Sequence, residues 1–326
     1  MRRMFTGAAL AAAGVLALAA CTPEVPEPVT AGEMELQAAV IQSQADFIIE
    51  DTFAELDAAD AALDAALLTD RVGGQVKATR EAEYKLRKAN GEIALTDIPS
   101  EMQATYAPGG DDWPRVLVMV TAQPEDDLTP VVLMWVQDSV FADYQLRGWA
   151  HMVPGATLPA MPGETTGVTA LALDSDAVEP PPQTAIENYL ELLRGGPEDE
   201  FAGDFGEDTY RDRLFAARDA LSKQAKEADG SYVDTFNPSF DSTYAIATAE
   251  GGALVFAPLT VSSAFTVKDA TVSVPDGDKP LASGEFDDKV THTYADFLVM
   301  HIPPTGSEAL PTVVAADHRL VKVSAG

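Results

Sequence analysis

Twice along this chain the spacing of apolar residues shifts from a helical period to a strand-like one, and that order restricts the available folds more than any motif does. The first helical region is predicted over 33–89. There Val40, Ile41, Gln44, Phe47 and Ile48 mark out an apolar stripe. The alanine-rich stretch 56–68 (LDAADAALDAALL) sets Asp57, Asp60 and Asp64 on one polar face, which reads as solvated. Gly73-Gly74 predicts a helix end, and a further helix at about 75–89 closes at Asn90-Gly91. Beyond Gly91 the period becomes two. Strands are predicted at 115–122 (RVLVMVTA), 130–138 (PVVLMWVQD) and 145–153 (QLRGWAHMV), with a turn at 124–127 between the first two. Their nearly continuous apolar runs suit strands covered on both faces, or an alternation that the sequence resolves poorly.

The second half repeats the order after a connector at 154–182, which is rich in proline and glycine and ends in Pro180-Pro181-Pro182. Within it, 168–173 (VTALAL) offers one strand. Thr184 and Glu187 have capping-box spacing, followed by Ile186, Tyr189, Leu190 and Leu193, and Gly195-Gly196 closes the helix. Tyr210, Leu214, Ala217 and Leu221 form a second apolar stripe. Strands are then predicted at 231–236, 243–248, 253–256, 259–268, 271–274, 290–302 and 312–323, with a hairpin tip at 275–280.

The expected fold class is therefore α+β, with two tandem domains, 33–153 and 183–326. In each, N-terminal helices pack on a curved antiparallel sheet. Local matches point to a duplication. Leu117-Val118-Met119 corresponds to Leu298-Val299-Met300, the 128–132 run (LTPVV) to 310–314 (LPTVV), and Asp70-Arg71-Val72 to Asp212-Arg213-Leu214.

Arg2 and Arg3 precede an apolar run at 8–20, which ends in Leu18-Ala19-Ala20-Cys21. This is the charged, apolar and small-residue order of an export signal over 1–20. The site resembles the lipobox of bacterial lipoproteins, which implies that Cys21 carries lipid and becomes the first mature residue. The 22–32 segment (TPEVPEPVTAG) completes a Pro/Glu tether over 21–32, with Pro23, Pro26 and Pro28 favouring an extended chain. The helices-then-sheet order resembles the cone-like fold of nuclear transport factor 2 relatives, or a cystatin-like cousin. Signal, tether, helical opening and the closing strand 316–322 (ADHRLVK) together resemble the uncharacterised two-domain lipoproteins of actinobacteria. These resemblances imply a place at the outer face of the cell membrane and an architecture, and no activity.

Cys21 is the only cysteine, so once lipidated it leaves no thiol for a disulfide, a thiolate metal site or a nucleophile. The net charge of −31, which becomes −33 once Arg2 and Arg3 leave with the signal, repels nucleic acid and anionic headgroups. Lipid rather than charge is then what holds the protein to its membrane.

No nucleophile elbow, phosphate-binding loop or zinc helix is present. The four histidines, His151, His292, His301 and His318, read as ordinary strand residues, although neighbouring closing strands could bring two of the last three together. His301 shares parity with Phe297 and Val299, which predicts partial burial. Asp276-Gly277-Asp278 reads as a turn. Trp113, Trp135 and Trp149, with Tyr144, read as core of the first sheet, the alternative being the wall of a pocket. No catalytic, cofactor-binding or metal-ligating residue is nominated, and no cofactor is expected. The expected role is non-enzymatic binding or assembly at the cell envelope with a protein partner. The alternative is a small-molecule carrier with a pocket in one cone-like domain, and then an enzyme without a recognisable motif.

Overall fold

Helix α1, Gln42–Ala62, buries Ala45, Ile48, Thr52, Leu56 and Ala59 along one stripe. Small residues set this inner face, so the stripe drawn from the largest side chains is corrected. Ile41 is the N-cap and Phe47 faces outward, 61% and 56% exposed respectively. The helix ends at Leu63 in the left-handed region, short of Asp64, the last residue of the predicted polar row. Asp64 instead caps a single 3-10 turn, Ala65–Leu67. Asp60 turns toward the next helix, accepting a hydrogen bond from the Tyr84 hydroxyl at 2.5 Å and lying 3.3 Å from Arg80 Nε. Of the three carboxylates only Asp57 stays on a solvated helix face. Glu55 fixes the chain reversal, since its carboxylate accepts the backbone N–H groups of Thr69, Asp70 and Arg71.

Gly73-Gly74 starts helix α2, Gly74–Ala89, rather than ending its predecessor. Gly74 sits at φ +54, and a Cβ there would lie 2.6 Å from the Arg147 carbonyl oxygen. Strands β1 (Met102–Tyr106), β2 (Arg115–Thr121), β3 (Val131–Gln137) and β4 (Gln145–His151) form an antiparallel sheet in that order. The last three match expectation. β1 has too little apolar alternation to stand out in the sequence. Both faces are covered, in keeping with the continuous apolar runs. Leu117, Met119, Leu133, Trp135 and Trp149 pack toward α1 and α2, while Val116, Val118, Val132, Met134 and Ala150 pack on the opposite face.

The described residues are 37–124, 128–163 and 165–325 of a computed structural model, and they belong to one compact unit, Leu36–Gly326. The signal at 1–20, the tether at 21–32 with Cys21, and turn residues 125–127 lie outside them. Among the described residues, no helix is long and apolar enough to cross a membrane.

From the connector, β5 (Ala170–Leu171) joins the second sheet. Helix α3, Pro182–Gly195, has Pro181 as N-cap and proline at its first position, so it begins before Thr184 and the expected capping box does not form. Helix α4, Thr209–Glu227, is capped by the Asp208 carboxylate. Strands β6 (Ser231–Pro238), β7 (Tyr244–Ala247), β8 (Ala253–Thr266), β9 (Ala282–Ser283), β10 (Lys289–Ile302) and β11 (Thr312–Ala325) follow. The sheet order is β5-β7-β8-β10-β11-β9, with β6 also paired to β8. All pairs are antiparallel except β9 with β11.

The strands predicted at 253–256 and 259–268 are one continuous strand through Pro258, which is rare inside a sheet because proline cannot donate. Its carbonyl accepts the Ser239 N–H on the side where β6 ends and β7 has not yet begun, so the missing donor falls in that gap. The strand predicted at 271–274 is instead part of the loop between β8 and β10, and the tip at 275–280 lies in the same loop.

The two sheets meet face to face. Val118, Met134 and Val136 from the first half form a single cluster with Phe256, Phe297, Val299 and Val314 from the second. The helices lie on the outside, giving an α/β/β/α stack. The approach is closest where the Phe297 ring lies over Gly148, at which a Cβ would come within 2.1 Å of the ring. The strand matches between the halves hold at the level of facing. Leu117 and Met119, like Leu298 and Met300, point to the helices, while Val118 and Val299 point between the sheets. The match of Asp70-Arg71-Val72 with Asp212-Arg213-Leu214 does not hold, because the first lies in the α1–α2 connection and the second inside α4.

Candidate binding site

Along β10 the residues at even positions face α3 and α4. Leu298, Met300 and Ile302 belong to the second half's core, and the same face continues as Asp296, Tyr294 and His292. Polar and aromatic groups thus replace aliphatic ones where the sheet outruns its helices. A cavity of about 480 Å³ opens there, between the last turns of α4, the ends of β6, β8 and β10, and the β8–β10 loop. Tyr232, Phe265, Val290 and Tyr294 supply apolar wall, Leu221 and Ala228 reach in from α4, and Val272 closes it from the loop.

The polar groups are few and oriented. His292 Nε2 lies 3.7 Å from Asp278 Oδ2, and burial pushes the imidazole below its usual range against the opposing pull of that carboxylate. Ser263 donates to Asp234 at 2.7 Å, and Asp234 also accepts from Arg218 Nε at 2.9 Å. Burial, helped by Asp278, Asp234 and Asp296, raises the Tyr294 hydroxyl to about 12, and burial likewise raises Tyr232. Both phenols therefore stay protonated and available as donors.

On the far side of Tyr294 lies a second group. The Tyr294 ring stacks on His318, with centroids 3.9 Å apart. His318 Nδ1 sits 2.8 and 2.9 Å from the two oxygens of Asp296, which is fully buried and also accepts from the Tyr210 hydroxyl at 2.5 Å. Burial raises the Asp296 carboxyl above its ordinary value, with His318 and Tyr210 pulling it back.

Trp135 and Trp149 are fully buried under α1 and α2, so the reading of them as core holds. The Trp135 Nε1–H donates to Thr52 at 3.0 Å, and Trp149 lies under the Arg80 guanidinium. Trp113 is 37% exposed beside Arg115, and Tyr144 is buried. The three closing-strand histidines separate. His292 lines the cavity, and His318 joins Asp296 beyond it. His301 is half-buried at the other end of β10, as its parity predicted. No two of the three closing-strand histidines meet across a pair, since His292 faces Val323, His301 faces Thr312 and His318 faces Asp296. Among the described residues, no group of three His, Cys, Asp or Glu side chains could hold a metal ion. A larger groove of about 790 Å³ runs between α1 and β1, where Ile49, Phe53 and Met102 are flanked by exposed polar residues such as Gln42, Asp46, Glu50 and Asp57.

Sequence reasoning passed over Tyr232, Phe265 and Tyr294. The readable signal was the alternation His292-x-Tyr294-x-Asp296 extending an otherwise aliphatic strand face. The stripe Tyr210, Leu214, Ala217, Leu221 carried a second one. Its first two members are core, whereas Leu221 borders the cavity and Ala217 borders the neighbouring cleft.

A family model described as Domain of unknown function (DUF8094) matches residues 37–324. No curated protein and no solved structure matches the chain.

Proposed function

The chain belongs to the DUF8094 family, a domain of unknown function, and from its own geometry we propose that it is a lipid-anchored, extracytoplasmic binding protein without enzymatic activity. Its ligand is a small, mainly apolar molecule with one polar end, held in the cavity of the second half. The observation that carries this reading is the cavity itself. At about 480 Å³ it falls within the ~300–1,000 Å³ of small-molecule sites, with apolar walls and few polar groups. A concave sheet closed by helices around such a cavity is also what the resemblance to cone-like folds would supply.

Nile red, a neutral apolar dye, probes the site. The expected result is saturable binding to one site per chain. Leu221→Trp fills the cavity from α4 and should weaken binding about tenfold or more. Phe141→Ser serves as control, because Phe141 is 97% exposed at the β3–β4 tip and is not part of the cavity lining. Undiminished binding in Leu221→Trp would sink the cavity reading. That tip, with Val140 60% exposed beside it, supports the envelope-partner part of the proposal. Asp138 and Asp143 flank it, so it favours an apolar, basic protein surface over an anionic lipid one.

The location rests on Leu18-Ala19-Ala20-Cys21. Cys21→Ser should leave the fold intact and move the protein from the membrane to the soluble fraction, since each buried CH₂ of an acyl chain contributes ~0.8 kcal/mol. A variant that stays with membranes in high salt would refute the anchor.

A further inference from the structure

Beside the cavity, and separated from it by Tyr294, a cleft of about 500 Å³ opens between the end of β4, the first turns of α4 and the exposed edge of β11. Two histidines enter it, each fixed from behind by a carboxylate. His318 is held through Nδ1 by Asp296 and by the stacked Tyr294 ring. His151, from the first sheet, is held through Nδ1 at 3.1 Å from both oxygens of Asp317. Their side chains are 27% and 29% exposed for His151 and His318 respectively, and among the described residues neither Nε2 has a hydrogen-bond partner. A carboxylate on Nδ1 fixes the ring and leaves Nε2 as the atom open to a ligand.

Two arginines complete the lining. Arg213, exposed on α4, has no carboxylate within ion-pair distance among the described residues. Arg319 reaches Asp317 through Nη2 at 3.3 Å, while its buried Nε has no partner among the described residues. Asp317, the one carboxylate in the lining, is engaged by His151 and Arg319, and Asp296 lies behind His318. Tyr210 faces the same cleft with its hydroxyl committed to Asp296. On a chain of net charge −31, a cleft with two arginines, two imidazoles and no free carboxylate in its lining is an exception that charge alone would not produce.

We propose that this cleft binds a small oxyanion, a phosphoryl or carboxylate group. Arg213 and Arg319 supply permanent charge, and His151 and His318, each held through Nδ1 by a carboxylate, offer Nε2 to the anion in their protonated form. Charge-assisted donors of this kind give an oxyanion its strongest hydrogen bonds. The site is independent of the apolar cavity, so failure of one proposal leaves the other standing.

Sulfate, whose charge is constant near neutrality, stands for the phosphoryl group, and acetate for the carboxylate. Isothermal titration of the folded protein should show one saturable site for at least one of them. Arg213→Ala, on an exposed helix position, and His318→Gln should each weaken binding about tenfold near pH 6. His301→Gln, at the other end of β10, should change nothing. Because His318→Gln touches a buried network, nitrogen-15 NMR of the wild-type imidazoles gives a separate reading, with the anion shifting the His151 and His318 Nε2 signals and sparing His292. The proposal is overturned if neither anion binds, or if binding ignores Arg213→Ala. Unmoved His151 and His318 signals at saturating anion overturn it equally.

Discussion

Gly148→Ala should destabilise the folded protein by about 3 kcal/mol or more, at the upper end of what overpacking a core costs. The added methyl would stand 2.1 Å from Phe297 Cε2 and 2.2 Å from Cζ, at the centre of the cluster that joins the two sheets. Neither side has room to give. Gly148 is in β4, paired with Met134, and Phe297 is fully buried on β10 between Leu298 and Asp296. Moving the ring would shift a fourteen-residue strand that pairs along its length with both β8 and β11. The check is urea unfolding of the single variants and of the pair Gly148→Ala with Phe297→Leu. The smaller leucine should restore part of the loss, so that the pair is more stable than the two single effects added. Additive losses would mean that the glycine is needed for a reason other than the ring above it.

The second large effect concerns Asp296. Asp296→Ala leaves the Tyr210 hydroxyl and the His318 Nδ1 donor without their acceptor inside a fully buried site, which should cost about 3–5 kcal/mol at neutral pH. Asp296→Asn keeps an acceptor and removes the charge, and should cost far less. The pH dependence has a defined sign. Burial raises the Asp296 carboxyl above its value in the unfolded chain, so the folded state prefers it protonated. Its contribution to stability is full below the unfolded value and is lost as pH rises through the higher, folded one. Asp208, buried at the start of α4, is raised for the same reason and adds in the same direction. Unfolding free energies measured from acid toward neutral pH should therefore fall less steeply in Asp296→Asn than in the wild type. An equal slope would show that Asp296 does not titrate there as its burial implies.

How much of this was legible beforehand depended on which physical signal each element left. Strands β2, β3 and β4 announced themselves because both of their faces are buried, and a doubly buried strand leaves an unbroken apolar run. The inner face of α1 was misread because Ala45 and Ala59 mark it by smallness, while Phe47, the most conspicuous residue, points to solvent. Gly73-Gly74 shows the same limit. Two glycines signal a break, but whether a helix stops or starts there was decided by the Arg147 backbone, which lies far away in sequence. The candidate site was the least legible part. Its histidines were visible one at a time, but the meeting of His151 with Asp317 joins residues 166 positions apart and depends on the two sheets packing together. Only the cavity wall left a local trace, in the change from aliphatic to polar side chains along one face of β10.

The face-to-face contact of the sheets also has a thermodynamic meaning. Two similarly built halves that bury one another in this way are arranged like the subunits of a dimer, with the 154–182 segment tying one to the other. Separate subunits would have to find each other at a rate and population set by their concentration. A tether replaces that with a fixed effective concentration, in the millimolar range for short linkers. The integrity of the fold is then indifferent to dilution, so a molecule present in few copies on a surface would remain as completely assembled as one in a concentrated solution.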